Sequence, residues 1–186
     1  MRRRRSYRKS TKEQVNYKNF NCHHSIAELP MSYGSDAPCH YYNTLERARE
    51  NRFELYPEIC VMDQQHFFVR GCLEIPVLDS KETFIWDVWV SLSEENFGRT
   101  IHLWEREERE QEPPYFGWLS TFIPGYPDTV NLKTNVHTRS IGRRPFIELE
   151  PTDHPLAIEQ REGISLERIA EIKEIITKYN EEDLES

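Results

Sequence analysis

The residues best suited to chemistry lie between 131 and 160. From Asn131 to Arg139 the odd positions hold Asn131, Lys133, Asn135, His137 and Arg139, and the even ones hold Leu132, Thr134, Val136 and Thr138. An extended chain therefore puts every ionisable group of this run on one face. Arg143, Arg144, Glu148, Glu150, Asp153, His154, Glu159 and Gln160 follow within about two dozen residues. Guanidinium groups among carboxylates can clamp an anionic ligand through bidentate contacts, and a histidine or carboxyl shifted toward neutrality by burial can move protons. The candidate ligand- or partner-binding residues are Lys133, His137, Arg139, Arg144, Glu148, Glu150, Asp153 and His154, with His154 as the acid or base. Glu148 and Glu150 share one side of a strand, which allows a paired-carboxylate site. A solvent-facing sheet surface, a buried salt-bridge network and a protein-binding face produce the same composition, and these readings stay open.

A second cluster, Cys22, His23, His24, Cys39 and His40, has the thiol and imidazole groups that zinc takes in a tetrahedron. Its spacing is poor, because adjacent side chains point apart. Cys22, His24, Cys39 and His40 form the least poor set; otherwise no cofactor is expected. Cys60 and Cys72 read as small buried hydrophobes, and a nucleophilic role would need a nearby base and a lowered pKa. His66, Arg70 and Glu74, at even spacing, read as sheet-surface or structural groups, and the four tryptophans as core filling ahead of a ligand pocket. The chain contains no glycine-rich phosphate loop, no serine-nucleophile elbow and no zinc-protease helix.

The 186 residues suit one domain with its own core. Residues 1–18 hold eight of the 24 Lys and Arg but one of the 32 Asp and Glu, so the net charge of -8 hides a body of net -15. The basic segment reads as a disordered tail, residues 19–180 as a single α+β domain and 181–186 as an acidic tail. An acidic body repels phosphate backbones, so nucleic acid is expected only through residues 2–12. No apolar run suits a membrane span and no apolar stretch follows the arginines, while four cysteines in such a chain suit reduced thiols; the expectation is a cytoplasmic protein.

The elements that must position these groups follow from pattern and punctuation. A polar helical stretch is predicted over about 43–54, and a hairpin from Ile59–Met62 and His66–Pro76 around Asp63–Gln65. Thr83–Ser91 is apolar on both faces apart from Asp87, which predicts a central strand. Ser93 should cap a helix with Phe97, Ile101 and Trp104 on one face, and the charged run 105–112 should be a solvated tail or loop. Extended segments follow at 115–122, 130–139 and 146–149, then a turn at 151–155. Ser165 should cap a last helix with an apolar stripe through Ile169, Ile172 and Ile176. Strands without regular βαβ alternation predict α+β, a mainly antiparallel sheet with the C-terminal amphipathic helix packed on it.

The segments HFFVRGCLEIPV (66–77), FIWDVWVSLSEENF (84–97), EPPYFGWLST (112–121), PGYPDTVNLKT (124–134), VHTR (136–139) and RPFIELEPTDHPLAIEQREGI (144–164) closely resemble the bacterial family called domain of unknown function 2199. The likeness runs from about Phe20 to Ile176. It implies membership but no activity, substrate or cofactor. Family members open with a Cys-x-x-Cys-Gly motif and a nearby His that looks like a zinc knuckle; here Asn19, Cys22, His23 and Ile26 fall at those positions. The family's glycine within a Trp-Gly-Val-Trp segment is Asp87 here, which implies a position turned toward solvent or a partner. The leading expectation is a cytosolic interaction protein whose acidic surface meets a basic partner, such as a toxin that it neutralises. The alternative is a small enzyme or anionic-ligand-binding domain built on the 131–139 face and the 144–160 segment.

Overall fold

The computed structural model describes Lys18 and residues 29–184, with side chains to residue 182. Cys22, His24 and residues 2–12 lie outside the described residues. The described chain runs β1 (Ser32–Gly34), α1 (Cys39–Tyr42), α2 (Glu46–Arg52), β2 (Phe53–Leu55), β3 (Ile59–Met62), β4 (His66–Pro76) and β5 (Thr83–Leu92). It continues with α3 (Glu94–His102), β6 (Tyr115–Leu119), β7 (Lys133–His137), β8 (Phe146–Leu149), α4 (Pro155–Glu162) and α5 (Leu166–Leu184). This is an α+β fold with a mainly antiparallel sheet.

The sheet curls on itself. Strands β4 to β8 follow one another as an antiparallel meander, and β8 returns to β4 through the parallel pair Phe146–Cys72. The Cys72 N–H donates to the Pro145 carbonyl at 2.8 Å beside that pair. Five strands in alternating direction must close parallel, so the result is a small barrel whose interior is filled by side chains. Val69, Leu73, Val88, Val90, Leu119, Val136 and Ile147 are fully buried and alternate with outward positions along their strands. Gly71 lets β8 approach, since a Cβ there would lie 2.5 Å from Ile147 Cδ1.

Local chemistry explains most element ends. Asp63 and Gln64 take the left-handed conformation (φ 52° and 55°) that a tight hairpin turn needs, and join β3 to β4. Ser93 Oγ accepts the Asn96 N–H at the start of α3, with Glu94 and Glu95 in the first turn. Ser165 Oγ accepts the Arg168 N–H at the start of α5. The predicted apolar stripe of α5 places Ile169, Ile172 and Ile176 in the main core, with Trp86 and Tyr126.

Several expectations are corrected. Phe53 begins β2, so the predicted 43–54 helix is confined to α2. Helix α3 ends at His102, leaving Ile101 exposed and Trp104 in the following turn. The predicted turn at 151–155 leads into α4, whose N-cap is His154 and whose first residue is Pro155, a residue pre-set for that position. Asp87 does not face solvent: its side chain is 3 % exposed and is neutralised by arginines, because a carboxylate among apolar strand residues must find partners. Arg70 is likewise buried, against Trp89.

Candidate functional site

The site lies on the outer face of the barrel, where the β7–β8 connection crosses β4 and β5. Arg109 holds that connection in place. It sits in a short 3-10 turn (Arg109–Gln111) inside the charged run and is 7 % exposed. Its guanidinium donates to four backbone carbonyls: Arg139 and Trp104 at 2.6 Å each, Arg143 at 3.0 Å and Ser140 at 3.3 Å. A planar five-donor group satisfies this fan of acceptors as no other side chain would. The run 105–112 is thus pinned at its centre, while Glu105, Glu107, Glu108 and Glu110 stay exposed.

Arg144 is the hub of the charges beneath. Its Nε and Nη2 donate to the two Glu58 oxygens at 2.7 and 2.9 Å, and its Nη1 reaches both Asp87 oxygens at 2.7 and 2.8 Å. The Glu58 hydrogen bonds, reinforced by the Asp87 charge, hold the guanidinium pKa above its ordinary value. Arg70 approaches Asp87 from the other side at 3.8 Å. Arg139 pairs with Glu74 at 2.5 Å and donates from Nε to the Arg144 carbonyl at 2.6 Å. This is an ionic lattice in which acids from three separate segments meet Arg139 and Arg144 of the β7–β8 connection and Arg70 of β4.

The lattice floors a groove of about 680 Å³, lined also by Arg143 and Cys72, with Ile85, Trp104 and Ile141 as apolar wall. A neighbouring apolar cavity of about 740 Å³, between Tyr56, Ile59 and Ile101, shares Glu58, Trp104 and Glu105 with it. Burial, then the Asp87 charge, push the Cys72 pKa up to about 11, which disfavours the thiolate. Burial does the same to Cys39, to about 11, and Cys60, to about 12. Arg143 stands apart: it is exposed at the groove and its side chain makes no ion pair or hydrogen bond among the described residues.

The residues singled out by sequence divide. Arg139 and Arg144 line the groove. His137 and Glu148 form a cross-strand pair at 2.8 Å on the half-exposed outer face, and Lys133 faces Glu150 at 3.8 Å. Asp153 is exposed in the turn before α4, and His154 Nδ1 accepts the Leu156 N–H as a helix cap, with Nε2 buried. Glu159 and Gln160 are structural: Glu159 binds Arg168 and the Tyr126 hydroxyl, and Gln160 bridges the backbone of Ile147 and Leu149. Glu58, Glu74, Asp87, Trp104 and Arg109 escaped the reading of the 131–160 segment. Asp87 carried a signal, an acid inside a doubly apolar strand, which demands a buried cation. Arg109 carried none, because its neighbours are charged and its acceptors are backbone.

Of the least poor zinc set, Cys39 Sγ lies 3.5 Å from His40 Nδ1, while Cys22 and His24 lie outside the described residues. Among the described residues no group of three or more His, Cys, Asp or Glu could hold a metal ion, and no helix is long and apolar enough to cross a membrane.

A family model described as an uncharacterized protein conserved in bacteria (DUF2199) matches residues 20–164. No curated protein and no solved structure matches the chain.

Proposed function

The chain belongs to this bacterial family, and on its geometry we propose that it is a ligand-binding domain whose groove takes an anion with an apolar body, such as an aromatic carboxylate. The observation that carries the reading is Arg143. Among the arginines of the groove, Arg109 is engaged by carbonyls, Arg139 by Glu74 and the Arg144 carbonyl, and Arg144 by Glu58 and Asp87, whereas the Arg143 side chain makes no hydrogen bond or ion pair among the described residues. A carboxylate seated on Arg143 lays its apolar body along Trp104, Ile141 and Ile85, and the fixed lattice beneath spares the ligand the cost of ordering the site. The raised thiols argue against covalent chemistry in the groove, so binding is the proposed activity. The proposed setting is the cytoplasm, supported by the free thiols Cys39, Cys60 and Cys72. Calorimetric titration with 3-phenylpropionate, with 3-phenylpropanol as the uncharged control, tests the assignment. The carboxylate should bind about tenfold more tightly than the alcohol, and Arg143→Ala should abolish the difference. Equal binding of both compounds, or an unchanged preference in the variant, would overturn it.

A second reading rests on a separate observation. Glu105, Glu107, Glu108 and Glu110 project from a segment that Arg109 fixes to the barrel, which makes them a rigid acidic ridge. Such a ridge suits contact with a basic protein, a toxin that the domain neutralises being one such partner. Binding to basic proteins that survives charge reversal of all four glutamates would remove this reading.

A further inference from the structure

At the opposite end of the outer face from the groove, a smaller cavity of about 260 Å³ opens between β4, β5 and the loop that precedes β7. Phe68 lies at its base and Trp118 on its rim, with His40, His66, Ser91, Ser120 and Asn131 around it. In a chain of which 30% is charged, none of these side chains is Asp, Glu, Lys or Arg. The two histidines are the only titratable groups of the lining. Burial, and then the His66 charge, hold His40 below its ordinary value and keep that ring neutral at pH 7. A lining without Asp, Glu, Lys or Arg in so charged a protein disfavours ions, since an ion would lose its hydration and find no carboxylate, ammonium or guanidinium there.

The polar atoms are also preset. Cys39 Sγ lies 3.5 Å from His40 Nδ1, and the neutral His40 ring carries one donor and one acceptor nitrogen. Ser120 Oγ donates to the Trp118 carbonyl at 3.1 Å and Ser91 Oγ toward the same oxygen at 3.5 Å, which leaves each hydroxyl oxygen able to accept. Asn131, in the left-handed conformation at φ 68°, adds an amide that both donates and accepts. Trp118 is 40 % exposed as a residue and its ring is braced edge-on by Phe116, 5.1 Å away between centroids. Serine oxygens that can accept, beside imidazole and amide groups that can donate and an exposed aromatic side chain, match a ring that bears several hydroxyls, because each hydroxyl donates and accepts at once. The volume admits one such ring and not a chain of them.

We infer a second binding site here, for a single neutral hydroxylated ring of the sugar class, stacked on Trp118 and hydrogen-bonded by His40, Ser91, Ser120 and Asn131. This site is independent of the groove and of its arginines. The test is an NMR titration of the full chain with neutral pyranoses (glucose, galactose, mannose and N-acetylglucosamine), with glucuronate and glucose 6-phosphate as charged counterparts and uridine as a neutral heterocycle. At least one neutral pyranose should move the Trp118 indole and the His40 and His66 ring signals together and saturably. Its charged counterpart should bind about tenfold more weakly. Trp118→Ala should weaken the pyranose by about tenfold with an unchanged melting temperature, and Arg143→Ala should leave it unchanged. The inference is overturned if no neutral pyranose saturates these signals, if a charged sugar or uridine binds better, or if Trp118→Ala binds as the wild type does.

Discussion

Replacing Arg144 by alanine tests the ionic lattice most severely. The substitution removes both hydrogen bonds to Glu58 and both to Asp87, and leaves Asp87, 3 % exposed, with Arg70 at 3.8 Å as its remaining cation. Taking one partner from a buried ion pair costs about 3–5 kcal/mol, because the survivor stays desolvated. The continued presence of Arg70 and the partial exposure of Arg144 place this case at the low end, about 3 kcal/mol. Asp87→Ala should cost a similar amount, about 3 kcal/mol, since Arg144 keeps Glu58 and reaches water but the buried Arg70 loses the carboxylate 3.8 Å away. In the double variant no carboxylate is orphaned, so its loss should fall short of the summed single losses by about 2 kcal/mol. Urea unfolding followed by circular dichroism and tryptophan fluorescence measures all three, with coincident transitions as the check on two-state behaviour. A loss below about 1 kcal/mol for Arg144→Ala, or simple additivity, would refute the reasoning that Asp87 depends on Arg144.

Three further outcomes follow from other parts of the fold. Gly71→Ala forces a Cβ to within 2.5 Å of Ile147 where β8 closes on β4, and should cost roughly 1–3 kcal/mol in the same urea assay; a neutral substitution would mean that the barrel does not close there. Iodoacetamide at pH 8 should modify Cys39 and Cys72 about two orders of magnitude, and Cys60 about three orders, more slowly than an ordinary thiol, as read by peptide mapping, because pKa values near 11 and 12 leave little thiolate; fast labelling of Cys72 would contradict this. His40 titrates below its ordinary 6.5 in the fold, so the unfolded chain binds the proton first and stability falls as pH drops through and below about 6.5. His40→Asn should remove that part of the acid sensitivity when urea midpoints at pH 7.5 and 5.5 are compared, and an identical pH dependence in the two proteins would discount it.

The fold was legible where side-chain period and punctuation agree. The alternation predicted over 131–139 lies in a strand only from Lys133 to His137, with Thr134 and Val136 inside the barrel and Lys133, Asn135 and His137 outside, while Asn131 sits in a left-handed turn and Arg139 in the β7–β8 connection; Ser93 and Ser165 cap the helices that their positions announce. Helix α4 was obscured because Pro151 and Pro155 read as breakers, although Pro155 begins the helix. The site was half legible. Arg139 and Arg144 came from a charged cluster, but their partners Glu58, Glu74 and Asp87 lie 86, 65 and 57 residues away in sequence from the groups they bind. Closure of the barrel through β4 and β8 brings them together, and pairing between distant strands leaves no local mark. His154 shows the converse: its neighbours suggested acid and base work, whereas its position before Pro155 makes it a cap.

The assignment of the groove to an anionic ligand meets its most direct test in the Arg143 side-chain signal. With 3-phenylpropionate added to the intact protein, the Arg143 Nε–H and Trp104 indole N–H resonances should shift together and report one dissociation constant. Saturation of either signal without the other, or a carboxylate that perturbs only residues remote from the β7–β8 connection, would contradict the account.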